Sequence, residues 1–311
     1  MRARIHHYLP VGYLAGFTPS GCARDRLWVH DLLGGRVWMS LPKKVARQRD
    51  LYTVSSGPTR PDLFECELAK RDGEHAKLVR KVCHSRQFPG DSFDDLLGFV
   101  ALTCMRSPSV RGMMTRWLEQ HTGLPFEEAV QDPNNWGWLA EFLGLDPATV
   151  HGFVGRYAQG NAKTQLWPVL LIDVLVCLML PLLKSRQWSL CFSHGEDHVV
   201  CSNTPLGIAW PLEHPSDKRP TLGDDAAILT FPFDRHTAFI SGLDDHCCVR
   251  HVGRSAVAEI NTQTVLSLKT HAVQPGFVFA SAREFCCMGN EGLLQVTGAD
   301  FALVEDPAGE G

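Results

Sequence analysis

Two adjacent imidazoles near the start of the chain, His6 and His7 in the run His6-His7-Tyr8-Leu9-Pro10, are the residues that most directly suggest chemistry. Neighbouring side chains in an extended segment face opposite ways, so one ring can turn inward as a ligand or general base while the other packs elsewhere. The run leads straight into the apolar pattern Tyr13-Leu14-Ala15-Gly16-Phe17, which distinguishes it from a purification remnant. Two other clusters carry ligand-type residues, His194-Gly195-Glu196-Asp197-His198 and Asp244-Asp245-His246-Cys247-Cys248 with His251. Neither has a standard zinc spacing, and the first reads as an exposed loop between two strands. The basic run Lys43-Lys44-Val45-Ala46-Arg47-Gln48-Arg49 could touch phosphates, although such runs are more commonly solvated edges. The chain has no G-x-G-x-x-G, Walker loop, G-x-S-x-G or H-E-x-x-H, so the common nucleotide-binding, serine-hydrolase and zincin readings lose their simplest support.

The opening motif resembles that of a bacterial family of unknown function, number 4238 among the domains of unknown function. Its members begin with a His-His-Tyr-Val-Pro-like run followed by an aromatic residue, Leu and Phe. The matching residues here are His6-His7-Tyr8-Leu9-Pro10, Tyr13-Leu14 and Phe17, with Leu9 for the usual Val. The likeness continues through Leu27-Trp28-Val29 and Asp31, Asp50-Leu51-Tyr52, then Phe64-Glu65 with Leu68-Ala69 and Glu74. Arg106-Ser107-Pro108, the turn Ser202-Asn203-Thr204-Pro205, the strand Ile228 to Phe233 and Asn261 complete it, so it spans most of the chain. The turn departs from the Ser-Asp-x-Pro pattern by carrying Asn203 for Asp, which alters any chemistry in which that carboxylate is a base or ligand. The resemblance implies no activity; it supplies positions rather than roles.

Physical chemistry then weighs those positions. Glu65 with His6 or His7 offers oxygen and imidazole donors suited to a divalent metal, whose bound water is a competent nucleophile near neutral pH. Glu65 and Glu74 are nine residues apart, so an ideal helix places them on opposite sides and both facing one site is not expected. Arg106 lies in apolar surroundings beside Cys104 and Met105 and needs a partner, either a carboxylate such as Asp173 or an anionic group on a ligand. Asn203 sits in a strand-end turn, where an amide either faces a pocket or stabilises its own backbone.

The elements that must position these residues follow from periodicity. Leu27 to His30 and Arg36 to Met39 flank Gly34-Gly35 and predict a hairpin. From Pro61 helical spacing takes over, with Leu63, Phe64, Cys66, Leu68, Leu78 and Val79 among Glu and Lys. Ser92 is the expected N-cap of a helix from Phe93 to Cys104, and Pro108 ends or kinks it. Shorter helices are expected at Pro125 to Val130, Trp136 to Leu143 and Pro147 to Tyr157. Gln165 to Leu183 nearly reaches the length of a membrane span, but Asp173 at its centre favours a helix buried on all sides, with Asp173 hydrogen-bonded inside the core. Strands are expected at Trp188 to Phe192, His198 to Cys201, Ile228 to Phe231, Ala238 to Ile240 and Phe277 to Ala280, with a helix from Ser255 to His271.

Strands, helices and strands in that order predict an α+β protein with an N-terminal hairpin region (1–60), a helical middle (61–186) and antiparallel C-terminal strands with one late helix (187–305). The whole is read as one domain over 1–305 with a disordered tail at 306–311. At 311 residues, 44% apolar and 21% charged, the chain has the composition of a folded, non-membrane protein. Thirty basic against 34 acidic residues give a net charge of -4, which provides no global attraction to nucleic acid or anionic lipid and leaves room only for a local basic groove. Eleven cysteines at irregular spacings, without an apolar leader, read as mostly buried thiols in a reducing cytoplasm.

The composite expectation is an enzyme whose site joins His6, His7, Glu65, Arg106 and Asn203. Its chemistry is read as metal- or His-assisted hydrolysis of a phosphodiester or other anionic substrate, small molecule or nucleic acid. His6, His7 and Glu65 would serve as ligands or bases, Arg106 as anion clamp and Asn203 as orienting amide. Two histidines and a carboxylate also fit a non-haem iron oxygenase. A non-catalytic protein- or nucleic-acid-binding module, in which the histidines only anchor the N-terminus, is the alternative.

Overall fold

The computed structural model describes residues 5–31, 36–49, 51, 63–129, 132–152, 167–211, 220–242, 246–265, 269–272, 277–280 and 285–288. The architecture is α+β. Strand β1 (Ile5–His7) is followed by a helical turn α1 (Val11–Leu14) and a 3-10 turn (Ala15–Phe17), then by β2 (Leu27–Asp31), β3 (Arg36–Ser40) and β4 (Arg47–Arg49). The helical middle contains α2 (Leu63–Ser85), α3 (Phe93–Met105), α4 (Pro108–Thr122), α5 (Phe126–Ala129), α6 (Gly137–Leu143), α7 (147–152) and α8 (Trp167–Lys184). Next come β5 (Trp188–Ser193), β6 (Cys201–Ser202), β7 (Gly207–Ala209), β8 (Ile228–Asp234), β9 (Thr237–Ser241) and β10 (Cys248–Val252). Helix α9 (Arg254–Val265) precedes β11 (Lys269–Ala272), β12 (Phe277–Ala280) and β13 (Phe285–Met288).

A five-stranded sheet runs β10-β5-β9-β8-β7, and a four-stranded sheet runs β3-β2-β11-β6. The first is antiparallel except at its edge, where β10 lies parallel to β5. Pro232 interrupts β8 at a register shift beyond the last residue that β7 pairs, a place where a missing N–H costs no ladder bond. Its carbonyl accepts a 2.8 Å hydrogen bond from the Tyr13 hydroxyl, which ties α1 to the sheet. Tyr13, Phe17, Phe99, Phe231, Phe233 and Phe239 are buried together, mostly with tilted or edge-on rings, and form the aromatic centre of the core. Gly12 permits the close approach of α1 to α2, because a Cβ there would lie 2.7 Å from Ala76 Cβ.

Several expectations need correction. Ser92 stands at the N-cap of α3 but its side chain makes no capping bond; the 3-10 turn Gly90–Ser92 leads directly into the helix. Helix α8 is not buried all round: Cys177 and Pro181 are exposed and Asp173 is half-buried. Asp173 meets Arg71 at 3.8 Å near the surface instead of accepting core hydrogen bonds, and burial raises its pKa. Among the described residues no helix is long and apolar enough to cross a membrane. The late helix stops at Val265, because Lys269–Ala272 pairs with both β2 and β6. Of 198–201 only Cys201 lies in a strand: the Val199 and Val200 amides donate instead to Arg235 O and to Asn261 Oδ1. Asn261 also donates to His198 O at 2.9 Å, so this family-like position bridges α9 to the chain before β6. Cys104, Cys191 and Cys201 are buried, whereas Cys22, Cys66 and Cys177 are exposed. The predicted entrance at Pro61-Asp62, the cluster residues Asp244-Asp245 and the tail lie outside the described residues.

Candidate functional site

The site is built where β1, the middle of α2 and the α3–α4 junction meet. β1 pairs antiparallel with β4, placing His6 opposite Gln48 and His7 opposite Arg47. The pleat sends the two imidazoles to opposite faces. His6 is fully buried, and His7 is partly exposed. His7 Nε2 donates to Lys43 O at 3.2 Å, which leaves Nδ1 as the acceptor of the neutral ring. Burial lowers the His7 pKa, opposed by that bond; Arg47 and Arg106 lower it further and Asp72 raises it.

On α2, Glu65 and Asp72 are seven residues apart and therefore share a face, with His75 one turn beyond. Arg106 caps the C-terminus of α3, two residues before the proline that opens α4, so the break between the helices aims its side chain inward. The guanidinium side chain is wholly buried and binds Asp72 bidentately, at 2.7 Å and 3.0 Å, while its Nε donates to Tyr8 O at 3.0 Å. This pair, not Asp173, answers the need for a carboxylate, and it commits Arg106 to holding β1 against α2 rather than to clamping an anion.

Glu65 faces the same pair. Its Oε2 is buried without a hydrogen-bond partner, and burial raises the carboxyl pKa to about 7, with Arg106 lowering and Asp72 raising it. His75 Nδ1 is likewise buried without a partner, and burial lowers the pKa of that ring. Burial thus favours the neutral form of both imidazoles, beside a carboxyl whose pKa burial pushes up to about 7.

Asn203 joins through Tyr8, whose hydroxyl donates to Asn203 Oδ1 at 3.1 Å and whose pKa burial pushes up to about 12. The turn around it is an ST turn: Ser202 Oγ donates to Thr204 O and accepts from Thr204 N. Ser107 Oγ meets Thr204 Oγ1 at 3.3 Å, which fastens the turn to the α3–α4 junction.

His7, Glu65, Arg106 and Asn203 therefore belong to one neighbourhood, linked by Asp72 and Tyr8, while His6 lies across the strand and Glu74 is exposed on the outer side of α2. Asp72 and His75 escaped the sequence reading. The seven-residue spacing from Glu65 was the available signal for Asp72. As for a metal, no group of three His, Cys, Asp or Glu side chains among the described residues could hold one. The His6–His7–Glu65 set does not fit, since the two rings face apart.

Elsewhere, His194 Nε2 and His251 Nδ1 lie 2.7 Å apart, and His198 packs edge-on to His236 at the end of the five-stranded sheet. These rings have no hydrogen bond to the Glu65 neighbourhood among the described contacts. In comparisons with known proteins, the model of the family described as "Protein of unknown function (DUF4238)" matches residues 5–267. No curated protein and no solved structure matches.

Proposed function

The chain belongs to the DUF4238 family, and on that premise we propose that it is a hydrolase in which Glu65 is the general acid–base and no metal supplies the nucleophile. The observation that carries this reading is the buried, unpartnered Oε2 of Glu65 on a carboxyl with a pKa near 7, beside an ion pair that fixes its surroundings. A carboxyl that titrates at the working pH can accept a proton from water and return it to a leaving group.

The other residues take supporting roles. Asp72 and Arg106 position α2 against β1 and set the local field. His7, with Nε2 held by Lys43 O, offers Nδ1 to a water or substrate hydroxyl. Asn203, its amide orientation set by Tyr8, orients a polar group of the substrate. Water attacks the electrophilic centre as Glu65 takes its proton, and the leaving group departs with that proton. Loss of the base should cost about 100- to 10,000-fold in rate.

The test uses generic aryl phosphodiester and aryl ester substrates with wild type, Glu65→Gln and Asn203→Ala. Glu65→Gln should lose hydrolysis at unchanged folding, and the wild-type rate should titrate near pH 7, insensitive to chelator. Hydrolysis by Glu65→Gln at the wild-type rate would sink the assignment.

A further inference from the structure

Four imidazoles gather at one end of the five-stranded sheet, and the acid–base reading uses none of them. His194 follows the last residue of β5, His198 lies in the loop beyond it, His236 sits in the β8–β9 turn and His251 is in β10. His194 and His251 stack with ring centroids 4.6 Å apart, and a 2.7 Å hydrogen bond joins Nε2 of the first to Nδ1 of the second. His198 meets His236 edge-on at 4.9 Å, and His236 Nδ1 lies 3.3 Å from Ser193 Oγ. His194 also acts electrostatically on His236, so the two pairs form one cluster. Backbone bonds run through the same corner: Ser193 N donates to His236 O and Val199 N to Arg235 O, both at 2.8 Å.

Protonation decides whether these contacts hold. A bond between two imidazole nitrogens needs one N–H and one bare nitrogen, so the His194–His251 bond survives one added proton and breaks with two. Burial lowers the pKa of His198, to about 4, with His236 and Arg235 lowering it further and Asp197 raising it. Burial also lowers that of His236, opposed by Asp234 and reinforced by Arg235, Arg86 and His194. His198 Nδ1 is buried without a hydrogen-bond partner, so a proton placed there has nothing to donate to. The surrounding charges do little for such protons. From the end of α2, Arg80 and His84 share a cavity wall with His236, and Arg86 lies 5.9 Å over the Phe192 ring. The β8–β9 turn brings Asp234 and Arg235, the loop Glu196 and Asp197, and α9 Arg254. Arg250 precedes His251 in β10, where the pleat turns it to the other face. Asp197 is already bound by Arg254 at 2.8 Å, and Asp234 Oδ1 accepts from His236 N at 2.8 Å. Among the described contacts no carboxylate bonds to any of the four rings, so added protons accumulate as like charges a few ångströms apart.

We infer that the four rings form an acid-sensitive latch, which closes this end of the sheet while they are neutral and opens it when they are protonated. The part released is the loop from 194 to 198 with the adjoining end of β10, an edge strand that pairs with β5. The sign follows from His198, whose native form is the neutral one. Its contribution to stability is full above the usual imidazole value of 6.5 and falls as the pH drops toward about 4. His194 and His251 act in the same direction once both are charged. The latch is independent of the hydrolase reading.

Hydrogen exchange of the full chain at about pH 7.5 and about pH 5, corrected for the intrinsic pH dependence of amide exchange, tests this. Protection at the Ser193 and Val199 amides and over residues 250–252 should fall about tenfold or more in acid, the equivalent of one hydrogen bond to a charged group. The β8–β9 ladder should keep its protection. His194→Gln and His251→Gln should each reduce the acid loss, since the amide keeps a polar contact with the remaining ring but takes up no proton. Both residues are exposed, so these replacements leave the fold intact. His194→Gln combined with His236→Gln should remove most of the loss. Equal protection at both pH values in wild type would overturn the latch. So would an acid loss as large in these variants as in wild type, or a loss shared evenly by the whole sheet, which marks global acid unfolding.

Discussion

At Glu65 the carboxyl keeps its proton more readily in the folded chain than in the unfolded one, with a pKa of about 7 against 4.5. Between those values the native state binds more protons, so stability from this group is full below 4.5 and is lost as pH rises through about 7. Glu65→Gln removes the titration. The variant should match wild type in acid and exceed it by roughly 1 kcal/mol at about pH 8.5, a figure discounted because the carboxyl is partly solvated. Urea titrations at both pH values check this; equal stability at both would mean that Glu65 is solvated. Arg106 and Asp72 behave differently, since removing either leaves a charge without its partner. Asp72→Asn should cost about 3 kcal/mol, and a change below about 1 kcal/mol by the same measurement would show that the pair does not brace β1 against α2.

At the scale of elements, α1 and α2 meet backbone to methyl at Gly12 and Ala76. Gly12→Ala should cost about 1 to 3 kcal/mol, because the added methyl meets Ala76 Cβ and both are fixed to backbone. The double variant Gly12→Ala with Ala76→Gly should recover part of that loss, and strictly additive effects would show that the contact is not the cause. Much of this framework was legible from periodicity and punctuation: the β2–β3 hairpin, α3 stopping short of Pro108, and β8 with β9. Elements ruled by distant partners were not. β10 has a mostly exposed, non-alternating pattern, and its place beside β5 is set by pairing alone. Residues 269–272 continue a helical pattern in sequence, but two neighbouring strands claim their backbone. The site divides likewise: His7, Glu65, Arg106 and Asn203 stood out by type, position or family likeness. Which carboxylate Arg106 would take depends on how α2 meets α3, which no local spacing contains.

On the scale of the molecule, the chain's two ends are interleaved. Tyr13 and Thr18 bond to Pro232 and Arg235, and the aromatic centre draws on residues from Tyr13 to Phe239. Residues 1–186 alone should therefore fail to unfold cooperatively; a sharp calorimetric transition from that fragment would show an independent N-terminal unit. The four-stranded sheet carries this further. β2 cannot acquire its inner neighbour until β11 exists, because His30 pairs with Thr270. At ribosomal rates of roughly 5 to 20 residues per second, the intervening stretch of roughly 240 residues takes about 10 to 50 seconds to emerge. Throughout that interval the hairpin lacks its neighbour β11, and the turn bearing Asn203, once made, waits for the same strand. During synthesis the N-terminal hairpin must therefore wait for the far end of the described chain before its sheet can be completed.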